Sequence, residues 1–122
     1  MKLLVDSHAY IWMGLEPAKL SPAAAQALTD VANEIYVSVA SLWEIAIKTQ
    51  LGKLDLSAPL PEFVSRLRVE SGVHVLSITD EHVFAHTALP SVHRDPFDRM
   101  IVAQAHADGF VVVTRDPRIG EY

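Results

Sequence analysis

The apolar positions of the chain fall into short runs separated by longer stretches in which apolar residues recur at helical spacing. Residues 2–5 (KLLV) form the first run, which stops at Asp6, as a buried strand does when a polar residue sits at its carboxyl end. A short helical stretch containing Tyr10, Ile11 and Trp12 follows. Ser21-Pro22 then supplies an N-cap with proline at the first helical position, and AAAQALTDVAN continues as a helix that Asn33 closes. Residues 35–38 (IYVS) are β-branched and aromatic, which predicts a second buried strand. In SLWEIAIKTQLG the apolar Leu42, Ile45, Ala46 and Leu51 lie near helical spacing, and Gly52 is the stop signal.

The segment KLDLSAP reads as loop, residues 61–70 (PEFVSRLRVE) as a helix ended by Gly72, and residues 73–78 (VHVLSI) as a third strand. Thr79-Asp80-Glu81 opens a helix that runs to Leu89, where Pro90 ends it. SVHR is loop, Asp95-Pro96 starts the helix DPFDRMIVAQAHAD, Gly109 stops it, and residues 110–113 (FVVV) are the fourth strand. Strands alternate with helices throughout. That order predicts an α/β three-layer sandwich with a central, mainly parallel β-sheet flanked by helices, because parallel strands need helical crossovers.

Composition narrows the chemistry. At 122 residues, half of them hydrophobic and a fifth charged, the chain is expected to be one globular domain spanning 1–122. It has no cysteine, which excludes disulfides, thiolate zinc sites and cysteine nucleophiles and suits a reducing cytoplasm. Asp6 and His8 interrupt the apolar N-terminus before a signal-peptide core or a membrane span can form, so a cytoplasmic protein with no membrane association is expected. A net charge of −5 predicts no strong nonspecific attraction to nucleic acid, but its distribution is uneven. Arg94, Arg99, Arg115 and Arg118 all fall close in sequence to Asp95, Asp98 and Asp116.

In an open parallel sheet, ligands bind beyond the carboxyl ends of the strands, where the following helices begin. Asp6 directly follows the first strand, Asp116 lies just past the fourth, and Glu44 and Asp98 are each expected in the first turn of a helix at that same edge. Converging carboxylates repel one another unless a multivalent cation compensates them. Magnesium or manganese, which prefers oxygen ligands and keeps several waters, suits such a pocket better than zinc. An ion of that kind can bind a phosphate oxygen, activate a water and stabilise a leaving oxygen, which points to phosphodiester hydrolysis.

Each acid has a structural alternative. Ser41-Leu42-Trp43-Glu44 is an S-x-x-E capping box, Asp95-Pro96-Phe97-Asp98 places an N-cap three residues before Asp98, and Asp116 suits a turn before Pro117. Asp6, at the end of an apolar strand, is harder to dismiss as merely structural. Capping and metal binding are compatible, since helix N-termini favour anionic groups.

With those residues placed, the chain resembles PIN-domain proteins of the bacterial VapC toxin type over nearly its full length. LLVDSHAYIW at the start, SVASLWEIAIK in the middle, HRDPFDRMIVAQA near the end, and VVVTRD leading to Gly120 and Tyr122 carry the resemblance. It implies an endoribonuclease in which Asp6, Glu44, Asp98 and Asp116 match the acidic quartet that holds magnesium or manganese. Asp6 and Asp98 are the firmest metal ligands. Glu44 and Asp116 complete the pocket, by holding waters, orienting the nucleophile or binding a second ion. Thr114 matches a polar position that can hydrogen-bond a carboxylate or a water, while Ser7 and Ser38 are weaker candidates with structural roles. The resemblance also implies a homodimer neutralised by a VapB-like antitoxin, in a groove to which Tyr10, Ile11, Trp12 and Met13 are candidate contributors; the alternative for each of these four is the core.

Other signals are weaker. His82 and His86 stand four apart on a helix, as zinc ligands do, but no glutamate follows His82, and solvated positions fit them better. His93 and His8 are candidate RNA-contact and ligand-supporting residues. Arg99 and Arg115, beside the acids, are candidate phosphate clamps. A phosphatase would want D-x-D after the first strand, where this chain has Asp6-Ser7-His8, and a receiver would want paired acids there and a late lysine. The remaining rival is a catalytically degenerate module of the same fold that serves only as an RNA- or protein-binding scaffold.

Overall fold

Parallel pairing accounts for every strand in the computed structural model, which describes residues 1–90 and 95–114. The order of elements is β1 (Lys2–Val5), α1 (Ser7–Leu15), a 3-10 turn (Pro17–Lys19), α2 (Pro22–Thr29), β2 (Glu34–Ser38), α3 (Val39–Gln50), α4 (Leu60–Ser71), β3 (Val73–Leu76), α5 (Asp80–Ala88), α6 (Pro96–Asp108) and β4 (Val111–Val113). The four strands lie in the order β3-β2-β1-β4. Val5 pairs with Val37 on one side and with Val113 on the other, so β1 is central and the carboxyl ends of three strands meet at one edge. Among the described residues six α-helices flank the sheet, giving the α/β sandwich that the alternation predicts.

Burial follows from strand alternation. Leu3, Val5, Ile35, Val37 and Val73 join Tyr10 of α1 and Phe63 and Leu67 of α4 in one core cluster. Leu4 is fully buried outside that cluster, and its partner Tyr36 lies against His74 and Phe110, with ring centroids 5.4 Å and 5.1 Å away. Gly72 and Gly109 close α4 and α6 at φ 66° and 73°, the left-handed conformation that glycine adopts without a Cβ penalty.

Several boundaries differ from the expectation, each for a local reason. The second helix stops at Thr29 rather than Asn33, because Asp30 turns the chain: its carboxylate accepts the Ala32 N–H and its carbonyl the Asn33 N–H. The third helix starts at Val39, since Ser38, the last residue of β2, caps it through the Ala40 N–H at 3.0 Å. Ser41 is therefore inside α3, the expected capping box is absent, and Glu44 falls beyond the first turn. His82 is buried rather than solvated. Its Nδ1 accepts the Thr79 N–H at 3.0 Å, and its Nε2 donates to Asp108 at 2.7 Å, which ties the start of α5 to the end of α6. Residues 91–94, expected as loop and including His93 and Arg94, lie outside the described residues.

Tyr10 is fully buried, so it belongs to the core rather than to a groove. Burial pushes its phenol up to about 12 from 10.0, with the Arg66 guanidinium pulling the other way. The folded value lies above the unfolded one, so the unfolded chain gives up this proton first as pH rises. The contribution is complete below pH 10 and is lost as pH climbs through the folded value of about 12, a change of roughly 2–3 kcal/mol by linkage. Urea midpoints are expected to fall between pH 8 and pH 11.5, with a clearly smaller fall in Tyr10→Phe. Equal falls in both proteins would refute this assignment.

Candidate active site

The end of β1 sets the position of Asp6. Its backbone N–H continues the sheet by donating to the Val113 carbonyl at 3.0 Å, and its side chain caps α1, Oδ1 accepting the Ala9 N–H at 2.8 Å. Thr114 follows the neighbouring strand β4 and reaches the same carboxylate, its Oγ1 donating to Oδ2 at 2.5 Å. Asp6 is 3% exposed, and among the described residues no basic side chain pairs with it. Its partners are one amide, one hydroxyl and the positive end of α1.

Ser7, the first residue of α1, links this acid to a second. Its Oγ donates to Glu44 Oε1 at 2.5 Å, so Asp6 and the residue that contacts Glu44 are consecutive in the chain. Glu44 is also nearly buried, and its Oε2 lies 3.1 Å from Lys48 Nζ, one turn further along α3. Asp98 is half-buried in the first turn of α6, after Asp95, whose carboxylate accepts the Phe97 and Asp98 N–H groups at 2.9 Å and 3.3 Å. The start of α6 lies across a cavity of about 460 Å³ from α3, lined by Glu44, Ile47, Lys48, Asp95, Pro96 and Phe97.

The fold thus brings Asp6, Ser7, Thr114 and Glu44 together, and sets Asp98 in the first turn of the helix across the cavity from Glu44. Among the described residues no group of three or more His, Asp or Glu side chains stands close enough to hold a metal ion. Asp116 and Arg115 lie outside the described residues. Arg99 donates to the Pro90, His86 and Leu89 carbonyls at 2.8, 3.1 and 3.3 Å, tying α6 to the end of α5. The residue that sequence reasoning missed is Lys48. Its E-x-x-x-K spacing from Glu44 was the available signal.

A family model described as the PIN domain matches residues 3–122. Ribonuclease VapC22 of Mycobacterium tuberculosis (strain ATCC 25618 / H37Rv) is 35% identical over 118 residues, 96% of this chain and 88% of the relative. The chain belongs to the PIN-domain family, of the VapC type.

In this PIN domain the donors around β1 are all oxygens, from two carboxylates and two hydroxyls, which is the ligand chemistry that hard divalent cations take. Burying Asp6 with no described counter-charge is costly unless a cation completes it, so the donor set fits such an ion. Of the apolar residues after β1, Ile11 and Met13 pack against the core of the PIN domain. Trp12 lines a cavity of about 240 Å³ with Lys19, Leu20, Ser21, Ala24, Val113 and Thr114, which adjoins Asp6 through Thr114. No helix among the described residues is long and apolar enough to cross a membrane.

Proposed function

We propose that this chain is a magnesium-dependent endoribonuclease, with manganese as a substitute, that hydrolyses RNA phosphodiester bonds as the toxin of a toxin–antitoxin pair. The observation that carries the reading is Asp6: a carboxylate 3% exposed, at the carboxyl edge of the sheet, beside a second nearly buried carboxylate, in a chain related to a named ribonuclease. Asp6, Asp98 and Asp116 would hold the ion, which when bound supplies charge for a phosphate oxygen and for an attacking water. Glu44 would complete the pocket, by holding waters, orienting the nucleophile or binding a second ion. Thr114 and the Ala9 N–H hold the two oxygens of Asp6 in place, and Ser7 does the same for one oxygen of Glu44. Thr114, Arg99 and Arg115 form the RNA side of the site.

The whole chain acts as a single cytoplasmic domain. Trp43, Val83 and Phe84, which are 62%, 45% and 64% exposed, support a homodimer, since they offer apolar surface near an apolar cavity of about 350 Å³. A VapB-like antitoxin would form the heterocomplex that silences it, with the Trp12 cavity as part of its seat.

The test is cleavage of a mixed RNA substrate by the purified chain. Activity is expected to fall roughly a hundredfold or more in EDTA, to return with Mg²⁺ or Mn²⁺, and to be lost in Asp98→Asn. Cleavage that persists without metal would sink the mechanism, and no cleavage by any variant would favour the scaffold reading. Growth arrest on expression, relieved by the neighbouring gene, distinguishes a toxin from a housekeeping nuclease.

A further inference from the structure

Given the metal-dependent reading proposed for this site, we infer that Lys48 is a tethered stand-in cation: its ammonium holds Glu44 in the metal-free protein and yields Glu44 Oε2 when a divalent ion binds. An ordinary Glu–Lys pair one helical turn apart is a weak surface feature. This pair differs in its surroundings. The Glu44 side chain is 10% exposed and that of Lys48 is 39% exposed, so the carboxylate is inside while the ammonium stands at the rim. The other oxygen of Glu44 is held by Ser7, itself 4% exposed, and Ser7 follows Asp6 in the chain. Among the described residues Lys48 pairs with Glu44, and no basic side chain pairs with Asp6.

Glu44 Oε2 cannot serve the ammonium at 3.1 Å and a nearby divalent ion at full strength, because the two cations repel. Lys48 has somewhere to go. It lines the cavity shared with Asp95, Pro96 and Phe97, and its four-carbon stem lets the ammonium swing there while the helix stays fixed. The arrangement keeps Glu44 pointing inward before any ion arrives, at the cost of weaker ion binding. Lys48 is accordingly a positioning residue, acting through Glu44.

The experiment measures Mn²⁺ binding to the full chain without RNA, by the electron paramagnetic resonance signal of free Mn²⁺, in the parent, Lys48→Met, Lys48→Gln and Lys48→Arg. The two neutral variants are expected to bind Mn²⁺ about three- to tenfold more tightly, and Lys48→Arg to match the parent. The metal-free Tm of Lys48→Met is expected to drop, and its rise on adding Mn²⁺ to exceed that of the parent. Parent binding with unchanged affinity in both neutral variants would overturn the stand-in role and leave the functional reading intact. Absence of Mn²⁺ binding in every protein, parent included, would overturn both.

Discussion

Replacing Asp6 by asparagine is expected to lower RNA cleavage by roughly a hundredfold or more, about 2.7 kcal/mol of transition-state stabilisation, while leaving the fold intact. The substitution separates two jobs that this carboxylate performs. As a cap, it needs only an oxygen to accept the Ala9 N–H at 2.8 Å, which the asparagine carbonyl supplies. As the partner of Thr114 it accepts a hydroxyl, and a rotated threonine can instead accept from the amide. What asparagine lacks is the charge, which makes a carboxylate a much stronger ligand than a neutral amide oxygen for a divalent ion at a nearly buried position. Asp6→Ala is expected to lose the cap as well, about 1 kcal/mol, and so to unfold at lower urea than Asp6→Asn. Circular dichroism and urea midpoints on both variants, with cleavage measured in saturating Mg²⁺, check the separation. Asparagine activity within about threefold of the parent would exclude Asp6 as a metal ligand.

The visibility of this site in the sequence tracks how local its causes are. Asp6 was legible because an apolar run ends on it, and Asp98 because Asp95-Pro96 marks a helix start that the structure keeps. Glu44 lies a turn deeper in its helix than the sequence predicts. Two serines, Ser38 and Ser41, compete to cap α3, and the choice goes to Ser38 because β2 runs into the helix without a loop. Contacts between distant segments are less legible: the Ser7–Glu44 bond, across 37 positions, has no local signal, and the bond from Thr114 to Asp6, across 108, is expected only from the family resemblance. Both depend on the parallel register that brings β1, β2 and β4 to one edge. His82 shows the same limit in reverse. Its helical spacing from His86 is visible, whereas its burial arises from Asp108 and Gln104 on α6, 26 and 22 positions away.

The second large effect lies at the far end of α1, where Gly14→Ala is expected to destabilise the protein by about 1–3 kcal/mol although alanine is the better helix former. An alanine Cβ at this position would lie 2.3 Å and 2.6 Å from two ring carbons of Phe63, well inside van der Waals contact. The ring has little room to retreat. Phe63 is fully buried, packs edge-on against Tyr10 at 5.6 Å, and carries the Arg66 guanidinium 5.3 Å from its centre. Arg66 in turn donates to the Gly14 carbonyl at 2.8 Å, so α1 and α4 close on each other at this glycine. Helix propensity contributes about 1 kcal/mol in favour of alanine, and overpacking against an immobile ring outweighs it. Urea unfolding of Gly14→Ala, Phe63→Leu and the double variant tests the cause. If the ring is the obstacle, the double variant is more stable than the sum of the two single losses. A neutral or stabilising Gly14→Ala would mean that α4 shifts freely, and that the helix carrying Asp6 and Ser7 at its other end is not braced by Phe63.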